Sequence, residues 1–221
     1  MPKFDYPNIS SANVSGLRVY ETLKGNFYPS ITTVLGNSAS QEKIDSLNAW
    51  KNNLGDEADS ITKEAADKGT AVHLLAERFL NGEKLINEGE TFSEDAIKSF
   101  NGLKLKLKKV SEVWGQEVAL YSDAIQVAGR CDCIGIYNGK ECIIDFKTSR
   151  RIKHKKDIED YFLQLAAYSI MHNEMFGTNI VDGVIIMSSM NGFPQEFNVN
   201  LEKYYDSLLQ RINKFYTNLS I

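Results

Sequence analysis

Asp132-Cys-Ile-Gly-Ile-Tyr-Asn-Gly-Lys-Glu-Cys-Ile-Ile-Asp-Phe-Lys147 is the stretch that decides the reading of this chain. At its centre Asn138-Gly139 offers the two residues that most readily take the positive φ angles of a tight hairpin turn. Runs rich in Ile, Cys, Tyr and Phe flank the turn, so the segment reads as two antiparallel strands. Side chains alternate across a strand. Arg130 and Asp132 therefore share one face, and Cys131 and Cys133 the other, as small core residues. Asp145 and Lys147 likewise share a face, opposite Ile144 and Phe146. Counting back from the turn brings Asp132 and Asp145 into facing positions, which gathers two carboxylates and an ammonium around one point.

Ionised groups at the end of an almost wholly apolar strand call for a reason. Taken alone, Asp145-x-Lys147 also fits a surface ion pair. The facing Asp132 weighs against that reading, because two carboxylates brought together repel unless a cation lies between them. Hard oxygen ligands in that number suit Mg²⁺ or Mn²⁺.

Outward from this hairpin the chain changes texture. Upstream, residues 1–26 read as polar and irregular, and Pro29 marks the entry to a short helix starting near Ser30. Ile44, Leu47 and Trp50 recur at helical spacing, as do Ile61, Ala65, Val72, Leu75, Ala76 and Phe79 in a helix over 60–80. A third helix is expected over 92–114. His73 and Glu77 share a face of the 60–80 helix, which fits either a metal ligand with its neighbour or a histidine bonded to its own Glu77. Beta-rich runs begin at Gln116, and Glu117 on the first of them is a candidate extra ligand. Downstream come a basic run from Arg150 to Lys156, a helix over 158–175 ended by Gly177, a strand over 181–187, a turn at Asn191-Gly192, a short strand and a last helix from Leu201. On the 158–175 helix, Gln164 and Tyr168 either face the site or complete core hydrogen bonds, and His172 reads as a surface residue. The order predicts an α/β fold with a mixed sheet flanked by helices: one domain over 1–221, mainly helical over 1–115, with the sheet core over 116–221.

Composition narrows the function classes. The chain has 221 residues, 43% of them hydrophobic, enough for one sizeable core. Three cysteines without paired spacing argue against a disulfide framework and against an iron–sulfur cluster. No run of about 18 apolar residues and no presequence is visible, so the expectation is a cytoplasmic protein that uses no membrane. A net charge of −4 opposes binding nucleic acid by bulk electrostatics. A local basic track is still compatible with it, and Arg130, Arg150, Arg151, Lys153, Lys155 and Lys156 are the candidates for contacting a phosphate backbone.

Together, Gly69-Thr-Ala-Val-His73, Gly129-Arg-Cys-Asp132, Asp145-Phe-Lys147-Thr-Ser and Gln164-Leu-Ala-Ala-Tyr168 resemble, in order, the motif set of the RecB-like branch of the PD-(D/E)XK nucleases. With Tyr28-Pro-Ser-Ile-Thr-Thr-Val-Leu and Trp50, the likeness is greatest to the mitochondrial genome maintenance exonuclease family and its phage and bacterial relatives, over roughly residues 27–190. The resemblance implies a restriction-endonuclease-like core with an N-terminal helical region. It implies a Mg²⁺- or Mn²⁺-dependent exonuclease acting on DNA, single-stranded with a free end, in replication, repair or recombination. His73, Asp132, Asp145 and the carbonyl of Phe146 would ligate the metal, Lys147 would orient or deprotonate the attacking water, and Gln164 and Tyr168 would support the site. The expected setting is a bacterial cell or a phage-infected one, and the expected state a monomer. An end-resecting duplex exonuclease and an inactive nucleic-acid-binding module are the competing readings.

Overall fold

The computed structural model describes residues 3–189 and 191–219. Its first elements correct the sequence reading. Strands β1 (Ser11–Val14), β2 (Leu17–Glu21) and β3 (Phe27–Pro29) form a three-stranded antiparallel sheet where irregular chain was expected. The reason is legible afterwards: β1 is exposed along its whole length, so no buried face imposes a two-residue pattern on it.

Helix α1 (Ile31–Asn37) starts where expected, with Ser30 Oγ accepting from the Thr33 N–H as its N-cap. Helix α2 (Gln41–Leu54) is capped likewise by Ser40 and buries none of its residues. Helices α3 (Glu57–Leu80) and α4 (Glu94–Leu107) follow. The expected helix over 92–114 therefore stops short, and residues from Val110 open β4 (Val110–Ser122) instead. Register shifts between Val110 and Glu112 and between Val113 and Gly115 blur the alternation that would have announced this strand.

The hairpin of β5 (Val127–Tyr137) and β6 (Lys140–Thr148) turns on Asn138 and Gly139 at φ 48° and 79°. Helix α5 (Glu159–Phe176), ended by Gly177 at φ 65°, carries the chain across to β7 (Asp182–Ser189), which runs parallel to β6. Strand β8 (Phe193–Asn200) and helix α6 (Tyr205–Leu219) complete the fold. The larger sheet has the order β4-β5-β6-β7-β8, and the chain is the mixed α/β protein its sequence predicts.

Both faces of this sheet are covered. Ile143, Ile185 and Met187 pack with α1, α5 and α6 through Ile31, Val34, Leu163, Ala167, Leu208 and Phe215. Ile144, Phe146, Val184 and Ile186 pack with α3 and α4 through Val72, Leu75, Phe100 and Leu103. Burial on two sides explains the nearly continuous apolar run of β6. Cys131 and Cys133 are buried as expected, but in opposite cores, because alternation fails at Asp132, where β5 parts from β6. His172 is also corrected: it is wholly buried, bonded to Tyr6 Oη at 3.2 Å and Thr178 Oγ1 at 2.8 Å, with Phe4 edge-on to its ring. No helix among the described residues is long and apolar enough to cross a membrane.

Candidate active site

Strand register sets three carboxylates in a row. Gln116 lies opposite Cys133 and Val118 opposite Cys131, so Glu117 stands across from Asp132. On the other side the β5–β6 ladder ends at Cys133 opposite Ile144, and Asp132 beyond it meets β6 through the Phe146 N–H, next to Asp145. The row crosses β4, β5 and β6. Helix α3 adds His73, whose Nδ1 is 3.6 Å from Asp132 Oδ2 and 3.8 Å from Glu117 Oε1. Its Nε2 donates to the Phe146 carbonyl at 2.8 Å rather than reaching Glu77. A carbonyl only accepts, so Nε2 carries the proton and Nδ1 is the ring nitrogen turned to the carboxylates. Ligand atoms of His73, Glu117 and Asp132 all lie within 4.8 Å of one another.

Asp145 sits beneath this group, 1% exposed. Lys147 Nζ pairs with its Oδ2 at 2.5 Å, and no other donor reaches either oxygen of Asp145 among the described residues. Burial pushes the Asp145 carboxyl up to about 6 against the pull of Lys147. Burial works to lower Lys147, yet Asp145 and Asp132 outweigh it and hold the ammonium above its ordinary value. In the same way burial lowers His73, but Asp132, Glu117 and Asp145 prevail and raise it to about 9. Asp145 is buried with Lys147 as its close cationic partner, and with Asp132 and Glu117 nearby the carboxylates outnumber the cations Lys147 and His73. With one imidazole, the donor set fits a hard divalent cation. The Phe146 carbonyl, expected to contribute a ligand oxygen, lies at the site and accepts from His73 Nε2.

Two features tune the walls. Glu117 has φ 50°, a left-handed conformation that costs a non-glycine residue on the order of 1–2 kcal/mol. Arg130 Nη1 donates to the Glu117 carbonyl at 2.6 Å and holds it there. Arg130, expected to contact substrate, also lines the cleft described below. On α5, Gln164 Nε2 donates to Tyr168 Oη at 3.1 Å, and the Tyr168 ring lies over Gly129, where a Cβ would come within 2.8 Å of Cε1. Tyr161 stands under Lys147, its ring centre 5.1 Å from Nζ.

His73, Glu117, Asp132, Lys147, Gln164 and Tyr168 line one cleft of about 310 Å³. The sequence reading missed that Arg18 and Tyr20 of β2 and Thr32 of α1 line it too. The one signal for them was the Tyr28-Pro-Ser-Ile-Thr motif, which marks the segment without giving roles. Glu77 lines a neighbouring groove with His73 and Glu117, and its carboxyl is raised by burial and by Glu117. The basic run divides: Arg150 pairs with Glu64 at 3.3 Å, Lys155 is exposed, and Arg151, Lys153 and Lys156 line a separate cleft.

No protein-family model matches the chain. It is 29% identical over 202 residues to mitochondrial genome maintenance exonuclease 1 of Homo sapiens, covering 86% of this chain and 56% of that protein. The proteins of the same name from Mus musculus and Xenopus tropicalis are 26% and 28% identical, over 93% and 75% of this chain. The chain spans 63% and 50% of those two relatives. A crystal structure of a putative exonuclease from Eubacterium rectale superposes with a TM-score of 0.45 at 12% identity, covering 68% of each chain; so loose a superposition carries no weight for the site. What the chain shares with named proteins is therefore a sequence likeness to exonucleases, at a level below that which fixes family membership.

Proposed function

We propose that this chain is a metal-dependent nuclease of the PD-(D/E)XK type, an exonuclease that hydrolyses DNA phosphodiesters and prefers single strands. One observation carries the reading: the buried carboxylate of Asp145, paired with Lys147, lies close enough to Asp132 and His73 for their charges to act on it. The sequence likeness to exonucleases supports it.

Asp145, Asp132, Glu117 and His73 would hold the cation. When bound, it supplies Lewis acidity to the phosphate and to the attacking water. The protein's own part is positional and electrostatic. Lys147, protonated at neutral pH, donates to the water or to a nonbridging phosphate oxygen and stabilises the charge that develops there. The Phe146 carbonyl fixes the ring of His73, and Tyr168 with Gln164 closes the wall opposite the sheet.

The test is digestion of linear single-stranded, linear duplex, flapped and circular DNA, with Mg²⁺ or Mn²⁺ present or chelated. Metal-dependent release of nucleotides from linear single strands is expected. Faster release from duplex ends would identify an end-resecting enzyme, and no cleavage of any substrate would sink the reading.

A further inference from the structure

Beside the first turns of α5 opens a second cleft, of about 880 Å³, lined by Lys43 of α2, by Arg151, Lys153 and Lys156 after β6, and by Arg211 and Lys214 of α6. It shares two walls with the catalytic cleft. Helix α1 has Ile31 and Thr32 in the catalytic cleft and leads to Ser38 in the second, while on α5 Gln164 lines the first and Leu163 the second. Seven residues of α helix span about 10 Å. At roughly 3.4 Å per nucleotide of a stacked strand, that is about three nucleotides.

The charges in the second cleft fall into two sets. Asp160 is paired with both Lys43 and Arg211, and Arg211 also reaches Ser38 Oγ at 2.9 Å and the Leu35 carbonyl. Lys214 donates to the Ala39 carbonyl at 2.8 Å. These groups tie α1, α2, α5 and α6 together as a floor. Asp157, which accepts the His154 N–H at 2.9 Å, and Glu159 also line the cleft, both exposed. Arg151, Lys153 and Lys156, by contrast, make no ion pair among the described residues. Their loop is not a loose solvated tail. Gln195 of β8 accepts from the Lys153 N–H at 2.9 Å and donates to its carbonyl at 2.8 Å, and Ser149 bonds Arg151 at both its backbone N–H and its carbonyl. Three cations without an ion pair among the described residues are thereby presented on a pinned backbone, and with Lys43, Arg211 and Lys214 the cleft's six cations outnumber its three carboxylates, Asp157, Glu159 and Asp160.

We propose that this cleft carries the sugar-phosphate backbone of a nucleic-acid strand on its way to or from the catalytic cleft, with Arg151, Lys153 and Lys156 as its phosphate contacts. That the polyanion is a nucleic acid rests on the nuclease reading above. Arg150 and Lys155, neighbours in sequence, lie outside the path.

The test uses the full chain without divalent cation, so that binding is read apart from cleavage. Fluorescence anisotropy of a labelled oligothymidylate is measured over a series of salt concentrations. The probe variant is Arg151→Gln/Lys153→Gln/Lys156→Gln. The charge-matched control is Lys84→Gln/Lys108→Gln/Lys203→Gln, at exposed positions away from the cleft. Thermal melts confirm that both variants fold. The probe variant is expected to lower the log–log salt slope by about 2, at about 0.7 for each of three contacts. The control is expected to lower it by far less. An unchanged slope in the probe variant, or an equal loss in the control, overturns the proposed path; if the unmodified chain still cleaves DNA with Mg²⁺, the nuclease reading stands without it. An unmodified chain that neither binds nor cleaves overturns both.

Discussion

Asp132 accepts the backbone N–H of Phe146 through Oδ2 at 2.9 Å, a side chain taking the place of a ladder carbonyl where β5 and β6 part. One carboxylate thus completes the sheet and also stands in the charged row. The two duties are separable. Asp132→Asn retains a carbonyl oxygen for the Phe146 N–H and should fold with little loss, while Asp132→Ala leaves that donor buried and unbonded, at a cost of about 1–3 kcal/mol. Both should lose cleavage by about a hundredfold or more, comparable with removing one electrostatic stabiliser. Urea unfolding beside nucleotide release checks the split; Asn and Ala variants of equal stability would count against it.

Lys147 compensates Asp145 as well as serving the chemistry. Lys147→Ala should abolish cleavage. It should also strand a buried carboxylate, which destabilises by about 3 kcal/mol when no cation is present. Saturating Mg²⁺ should restore most of that loss, by putting positive charge back beside Asp145. Thermal melts with Mg²⁺ and with chelator decide it: an equal loss in both would show that no cation reaches Asp145.

The raised His73 makes the metal-free protein sensitive to base. A folded value of about 9 against an ordinary 6.5 means that protonation favours the fold. The stabilisation is complete below about 6.5 and fades as the pH climbs through 9, by up to about 3 kcal/mol. His73→Ala should flatten this dependence in chelator. Because a protonated imidazole cannot ligate, Mn²⁺ affinity should rise across the same window. Equilibrium unfolding at several pH values, with and without Mn²⁺, reads both effects.

His172 works in the opposite direction. Its burial against Phe4, Tyr6 and Phe176 depresses it to about 4. The neutral ring is thus the form the fold favours. Its contribution is full above about 6.5 and is lost as the pH falls through 4. His172→Gln should be less stable at neutral pH but lose less on acidification; acid unfolding followed by tryptophan fluorescence, with Trp114 beside Phe4, measures it.

Legibility in the sequence followed burial and local chemistry. The β5–β6 hairpin could be read because Asn138-Gly139 fixes the turn and the turn fixes the register as far as Cys133 and Ile144, the neighbours of Asp132 and Asp145. Ser30, Gly177 and the helical spacing of α3 were likewise local signals. What stayed hidden depended on distant partners. Exposed β1 carries no pattern, the bulged start of β4 breaks its own, and His172 is buried only because residues 4 and 6 fold back over it. Glu117 was visible as a candidate, but its place in the row needs the register of β4 with β5. Arg18 lies outside every motif quoted from the sequence, and nothing local to it assigns it to the cleft.

Tyr168 rests where Gly129 leaves off, and a methyl group at that position would meet the ring at 2.8 Å. The depth of the catalytic cleft is accordingly governed by an omitted atom. An alanine there would displace the ring toward the opening and narrow the aperture from inside, at about 1–3 kcal/mol of overpacking. Every charged group would keep its chemistry, yet the strand would lose the room to reach them. The room in the cleft and the charges around it are thus set by different residues, so one can change without the other.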